Sequence, residues 1–190
     1  MTKNTRRDEI VRTAAILFKK KGYSAVTMRD IADSLDIKAS SLYNHIQSKQ
    51  ELLEILVISL AEEFINGMNK IMNLPISASE KLRLAIDFHI DITIHNNEAL
   101  AALNNDWMHL EEKLPYFLKM RNDYEQNFRT IIETGMTSGE FVKRDVEIVL
   151  FSLLSTLRNL YLWYARKGRV SEDTLKNNMA DTLLKGIFST

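Results

Sequence analysis

Apolar positions recur at helical spacing along most of the chain, and their stripes divide it into helices. The first stripe predicts a helix from about Arg6 to Lys21 and consists of Ile10, Val11, Ala14, Leu17 and Phe18. Three lysines and Gly22 follow the stripe, which suits the negative end of a helix dipole and a C-cap conformation. The chain therefore opens with an amphipathic helix.

Shorter stripes follow between Thr27 and Leu53. Thr27 and Asp30 have the spacing of a capping box, which predicts the start of a short helix. A turn at Asp36 and Ile37 precedes a second short helix over Ala39–Ile46, and the box Ser48–Glu51 opens a long helix towards Pro75. Two short helices joined by a tight turn predict a helix-turn-helix, whose second helix suits a DNA major groove.

Five more helices are predicted beyond Pro75: Ser79–His95, Glu98–Leu110, Pro115–Thr137, Asp145–Lys167 and Glu172–Phe188. Only 6 Gly and 2 Pro punctuate the 190 residues, which favours helices over strands. The sequence predicts an all-α fold with about nine helices. It divides into an N-terminal three-helix helix-turn-helix domain over residues 1–47 and a C-terminal helical bundle over residues 48–190, for ligand binding and dimerisation.

Composition and charge narrow the class of protein to which the chain can belong. The chain has no Cys, which excludes disulfides and thiolate metal sites. The polar N-terminus and the charges Glu147 and Arg158 within the most apolar run argue against a signal peptide and a membrane span, so we expect a soluble cytoplasmic protein. Residues 1–49 hold ten Lys/Arg against five Asp/Glu, whereas the remainder holds fifteen against twenty. This uneven distribution of charge indicates that the N-terminal part of the chain binds a polyanion.

A family resemblance rests on residues at fixed spacing between about 8 and 55. They are Phe18, Gly22-Tyr23, Thr27–Ala32, Leu35, Ser41–Ile46, Lys49, Leu52 and Leu53. Together they resemble the DNA-binding domain of the TetR family of transcriptional regulators. The resemblance implies a homodimeric, ligand-responsive repressor of palindromic operator DNA.

The resemblance also implies residue roles. Ser40, Ser41 and Asn44 would read base edges or nearby phosphates, and Tyr43 with His45 would contact backbone phosphate. Thr27 and Lys49 would meet phosphates at helix N-termini, and Lys38 would attract phosphate where a capping Ser is common.

Partner and ligand surfaces are sought in the C-terminal body. A dimer face is predicted on the last two helices, at Val149, Leu150, Leu153, Leu154, Leu175, Met179, Leu183 and Ile187. An apolar effector pocket is sought among aromatic, Met and other body residues, each of which can also be plain core: Phe88, His89, Ile92, Trp107, Met108, Phe117, Met120, Tyr124, Phe128, Leu157, Tyr161 and Trp163. Arg121 and Arg158 would pair either with an anionic ligand or with a nearby carboxylate.

Other functions have weaker support in the sequence. Leu160–Gly168 with Ser171-Glu172 loosely resembles family members that sense acyl-CoA thioesters. A metal site from His89 with Asp106 or His109 stays open, as do a metal- or small-molecule-binding protein and a constitutive DNA-binding factor. No nucleophile or phosphate-loop motif indicates an enzyme, and no cofactor is predicted.

Overall fold

The computed structural model describes residues 5–167 and 170–187, and the side chains of this part except those of residues 165–167. The described part is helical and contains nine α-helices: α1 (Arg6–Lys21), α2 (Met28–Ser34), α3 (Ala39–Leu42), α4 (Lys49–Met72), α5 (Ala78–His95), α6 (Asn97–Asn105), α7 (Leu114–Ser138), α8 (Val146–Lys167) and α9 (Glu172–Lys185). Short 3-10 turns at Trp107–His109 and Glu111–Lys113 join α6 to α7. The all-α prediction is confirmed.

The helix ends follow local capping chemistry. The first predicted helix matches α1, and Gly22 ends it with φ +81°, donating its amide to the Phe18 carbonyl. The helix predicted from Ser79 begins one residue earlier, at Ala78, because Ser77 caps α5 and accepts from the Glu80 amide.

Two other predicted helices are too long. The second helix of the helix-turn-helix ends at Leu42 rather than Ile46, because the amides of Asn44 and His45 bond three residues back in a turn. Likewise α6 ends at Asn105, and the 3-10 turn at Trp107–His109 replaces the predicted last turn. The predicted end of the last helix at Phe188 lies outside the described residues.

The chain forms two compact units. The first, here the head unit, comprises Met1–Glu62 together with Glu98–Leu118, and its largest buried side chains include Phe18, Ile31 and Leu42. The second, the body unit, comprises Glu63–Asn97 and Lys119–Thr190. The domain boundary predicted after residue 47 stays a prediction.

Inside the body unit, α5 packs against α8 and α9. The core there includes Phe128, Phe141, Leu82 and Ile86. Within the described residues, one segment, Val146–Tyr164 of α8, is long and apolar enough to cross a membrane. Since one side of this helix lies in the core, its apolar character is also that of a core helix.

Candidate nucleic-acid interface

The helix-turn-helix begins at a closed capping box. Thr27 Oγ1 accepts from the Asp30 amide at 3.1 Å, and the Asp30 carboxylate accepts from the Thr27 amide at 2.8 Å. Hydrogen bonds from the Thr27 hydroxyl and amide lower the pKa of Asp30 to about 2. The carboxylate is therefore charged at neutral pH and fixes the start of α2.

The turn between α2 and α3 has a sharp backbone. Asp36 adopts φ +52°, a left-handed conformation that Asp tolerates better than most residues. The Ile37 amide then donates to the Ala32 carbonyl at 3.1 Å. Ile31 and Leu42 are fully buried on either side of the turn, so the two short helices are held at a fixed angle by their core.

Opposite this core, α3 and the turn after it present polar side chains to solvent. Lys38, Ser40, Asn44 and His45 are exposed, Tyr43 is 53% exposed and Ser41 is half-buried. An open concavity of about 430 Å³ is lined by Ile37, Lys38, Ser40, Ser41 and Asn44. The structure thus brings four of the predicted DNA-contact residues together around one concavity, with Tyr43 and His45 exposed in the turn that follows α3. We call these six residues the recognition surface: Lys38, Ser40, Ser41, Tyr43, Asn44 and His45.

Lys38 is the N-cap of α3 but makes no side-chain capping bond. Its ammonium is exposed beside helix amides that have no capping side chain, and both features favour an anion there.

Lys49 makes its contacts within the head unit. Its Nζ donates to the Tyr23 carbonyl at 2.9 Å and lies 4.3 Å from the centroid of the Tyr23 ring. The predicted contact of Lys49 with a phosphate stays a prediction. The Thr27 hydroxyl is committed to the Asp30 carboxylate. Sequence reasoning missed the contact of Lys49 with Tyr23 because this partner lies 26 residues earlier.

Comparison with known proteins places these features in a family. The description "Bacterial regulatory proteins, tetR family" matches residues 10–56, and "Tetracyclin repressor-like, C-terminal domain" matches residues 75–187. The second match alone covers more than half of the chain. The chain belongs to the TetR family. It is a transcriptional regulator with a DNA-binding helix-turn-helix, and the family is not one of enzymes.

Individual TetR proteins are similar over nearly the whole chain. The HTH-type transcriptional repressor KstR2 of Rhodococcus jostii is 26% identical, over 98% of this chain and 93% of that protein. The solved KstR2 of Mycobacterium tuberculosis, described as a ketosteroid transcriptional regulator, superposes with TM-score 0.92 at 23% identity, covering 98% and 97% of the two chains. AibR in complex with isovaleryl coenzyme A and operator DNA superposes with TM-score 0.79 at 21% identity, covering 97% and 100%.

In the body unit of this TetR protein, several predicted pocket residues form one aromatic cluster. His89 Nδ1 lies 3.1 Å from the Tyr124 hydroxyl, and both rings lie within 5.4 Å of the Phe64 ring. Burial, followed by the charge of Arg158, lowers the pKa of His89 to about 3. His89 is therefore neutral at physiological pH. Burial raises the pKa of Tyr124, so its hydroxyl stays protonated.

The remaining candidate pocket residues of the body unit are either buried or engaged in ring contacts and ion pairs. Phe128 stacks edge-on against Tyr124, and other candidates are buried: Ile92, Met120, Leu157 and Tyr161. Phe88 is half-buried and lies edge-on to Phe64. Arg121 and Arg158 both pair with Glu125. Of the two partners predicted for these arginines, an anionic ligand or a nearby carboxylate, the structure shows the carboxylate for both.

The predicted pocket set is not a single cluster. Trp107, Met108 and Phe117 belong to the head unit, where Trp107 and Phe117 stack at 5.9 Å and Met108 is 57% exposed. The metal hypothesis gains no support, since the described residues hold no group of three or more His, Cys, Asp or Glu suited to an ion. The acyl-CoA-like stretch falls partly outside the described side chains.

The predicted dimer face is also corrected. Six of its residues are at most 6% exposed and form core of the body unit: Val149, Leu150, Leu153, Leu154, Leu175 and Ile187. Met179 and Leu183 are half-buried beside a groove of about 340 Å³ that Trp163 and Thr156 also line. These two remain candidates.

The opposite side of α8 carries the exposed apolar residues that the prediction missed. Ile148 is 66% exposed and Phe151 73%, and further along the helix Leu162 is 44% and Trp163 42% exposed. At about 100° per residue these four lie within about 120° of one another around the helix. We call Ile148, Phe151, Leu162, Trp163, Met179 and Leu183 the α8–α9 face. The sequence indicated such a face, because apolar residues occur on all sides of α8 and a helix in a monomer needs only one apolar side.

Proposed function

We propose that this TetR-family regulator is a cytoplasmic, ligand-responsive repressor that binds palindromic operator DNA as a homodimer. The recognition surface carries the DNA part of the proposal. It joins an exposed Lys, two Ser, an Asn and a Tyr-x-His pair on a scaffold whose core and capping box fix its orientation. These groups suit base edges and phosphate oxygens, and residues 1–49 carry ten Lys/Arg against five Asp/Glu.

The α8–α9 face supports the homodimer. A Phe that is 73% exposed and an Ile that is 66% exposed are unusual on a monomer surface, and the adjoining groove offers a place for a partner side chain. A two-fold dimer uses the same face of both copies. In such a dimer, two recognition surfaces spaced by about 34–36 Å fit successive major grooves. A single short helix makes too few base contacts to be specific, so the second surface is needed.

The aromatic cluster supports effector control. Phe64 lies in the body-unit part of α4, the continuous helix that begins at Lys49 in the head unit, and its ring lies within 5.4 Å of the rings of His89 and Tyr124. An apolar effector that rearranges these rings changes the packing of α4. A small change at α4 then alters the spacing of the two recognition surfaces.

The proposed effector carries an apolar group, either the acyl chain of a CoA thioester or a ring ketone. Similarity to the ketosteroid regulator KstR2 and to AibR with isovaleryl coenzyme A supports this class. A second candidate function is a constitutive DNA-binding factor, which the dense core around His89 and the pairing of both arginines with Glu125 favour.

The test of the proposal uses the full-length protein. A random-sequence duplex library is selected on it, and the enriched duplex is titrated at two salt concentrations. We expect a two-fold-symmetric sequence with a binding constant that falls steeply with salt. A library that shows no enrichment, with no salt-dependent binding of any duplex, contradicts the DNA proposal. Isovaleryl coenzyme A and a steroid ketone added to the bound complex then separate the ligand-responsive repressor from the constitutive factor.

A further inference from the structure

Residues from two distant parts of the chain meet at Tyr23, in the corner between α1 and α2. Tyr23 is only 9% exposed although it lies in a loop of the DNA-binding part. The segment Glu98–Leu118, which the chain reaches after α5, belongs to the same head unit. Contacts at Tyr23 connect this later segment to the helix-turn-helix.

Two hydrogen bonds form the connection. The Tyr23 hydroxyl donates to Gln50 Oε1 at 2.8 Å, and Gln50 Nε2 donates to the backbone carbonyl of His109 at 2.9 Å. Gln50 lies in the first turn of α4. A single amide side chain therefore links the α1–α2 corner, the start of α4 and the 3-10 turn Trp107–His109.

Ring and charge contacts reinforce the same point. The His109 ring lies 5.2 Å from the Tyr23 ring at an interplanar angle of 31°, and the Lys49 ammonium lies 4.3 Å from the Tyr23 ring centroid. Lys49 also donates to the Tyr23 carbonyl. We call Tyr23, Lys49, Gln50 and His109 the Tyr23 cluster.

Nearby charges link the same two segments. The pKa of Asp106 is raised by its burial, and this rise is opposed by a hydrogen bond from the Tyr23 backbone and by the charges of His109 and Lys49. On α1, the Lys19 ammonium lies 3.4 Å from the carboxylate of Glu98 on α6. The later segment thus contacts α1, the α1–α2 corner and α4 by independent means.

We propose that the Tyr23 cluster is a positioning device, through which the 3-10 turn Trp107–His109 holds the recognition surface in its DNA-binding orientation. The inference rests on the proposed operator binding and adds Tyr23, Gln50 and His109 as residues that control it from outside the recognition surface. No member of the cluster lies on the recognition surface. A displacement of the turn frees the Tyr23 hydroxyl and the Gln50 amide, so the α1–α2 corner and the start of α4 lose their common anchor.

The first test replaces Gln50 with Leu, which removes both connecting hydrogen bonds, and a longer one of 3.3 Å to Glu54, at similar side-chain size. The probe is the duplex that the unaltered protein enriches from the random library, labelled for fluorescence anisotropy. We expect affinity to fall about five- to thirtyfold, which corresponds to about 1 kcal/mol for each of one to two connecting hydrogen bonds. The slope of log affinity against log salt should not change, because no phosphate contact is lost. Gln126→Leu, an exposed Gln on α7, is the matched control and should bind like the unaltered protein.

The second test uses the ring at position 109. His109→Ala removes the ring that lies against Tyr23, whereas His109→Phe retains an aromatic face. We expect weaker binding for the Ala variant and recovery for the Phe variant, with His95→Ala of α5 as control. Affinity is measured at a temperature where every variant is folded. If His109 contributed to stability alone, His109→Ala would lower the thermal midpoint, but its affinity for the duplex would match that of His109→Phe.

The outcomes separate the two proposals. Unaltered affinity in folded Gln50→Leu and His109→Ala overturns the positioning role, and so does a changed salt slope. If Gln50→Leu does not fold, the His109 pair decides alone. If the unaltered protein enriches no duplex, the proposed DNA function fails before the Tyr23 cluster comes into question.

Discussion

Replacing Phe151 with Ser removes the most exposed apolar side chain of the α8–α9 face. Phe151 is 73% exposed in the single chain, so the substitution leaves the body core intact. Burying a whole Phe side chain is worth about 1.5–3 kcal/mol, which gives about 2 kcal/mol for the exposed part. A two-fold interface contains the residue twice, so the dimer should lose about 4 kcal/mol. That loss corresponds to about a thousandfold rise in the dimer dissociation constant.

Sedimentation velocity over a range of protein concentrations measures this constant directly. Leu84→Ser is the matched control, because Leu84 is also an exposed apolar residue, at 40%, but lies on α5 away from the α8–α9 face. We expect the control to dimerise like the unaltered protein. A monomeric unaltered protein, or a Phe151→Ser variant with an unchanged dissociation constant, refutes the assignment of this face.

Three further predictions concern the recognition surface, the core and a helix cap. Lys38→Ala should weaken binding to all duplexes alike and reduce the salt slope by about two, one phosphate contact in each half-site, measured by anisotropy; an unchanged slope would place Lys38 away from phosphate. Gly135→Ala should destabilise the body by about 1–3 kcal/mol in urea unfolding, because its Cβ would lie 2.2 Å from the ring of buried Phe141, whereas Gly186→Ala meets nothing within 4 Å and should be neutral. Hydrogen bonds from Ser79 lower the pKa of Glu140 from its ordinary 4.5 to about 2, so its stabilisation of the α5 N-terminus is complete above pH 4.5 and is lost as the pH falls towards 2. Glu140→Gln should therefore flatten the acid branch of the stability profile, and a variant with the same acid dependence as the unaltered protein would contradict this role.

Local signals made the head unit predictable from sequence. The capping pair Thr27 and Asp30, the Gly22 C-cap and the apolar stripe of α1 each act within a few residues, and all three are present in the structure. Five of the six residues of the recognition surface are exposed and Leu42 is buried, as the apolar pattern indicates, and their contacts with DNA stay predictions. The length of α3 did not follow, since α-helical and 3-10 hydrogen bonding compete over Tyr43–His45.

Long-range packing explains the errors. In α8, Leu150 and Phe151 are neighbours with similar hydrophobicity, yet one is 4% and the other 73% exposed. The sequence of a helix that is apolar all around does not show which side its neighbours cover. The contact between Lys49 and Tyr23 was not predicted for the same reason, because the two residues are distant in sequence.

A salt-dependent titration of the selected duplex tests the role of the recognition surface most directly. The measurement compares the unaltered protein with a Tyr43→Ala, His45→Ala variant, whose side chains are exposed and whose fold should persist. We predict salt-dependent binding of one dimer per palindrome and at least a tenfold loss in the variant, from two phosphate-contacting side chains removed in each of two half-sites. Equal binding by both proteins, or binding that does not respond to salt, contradicts the account.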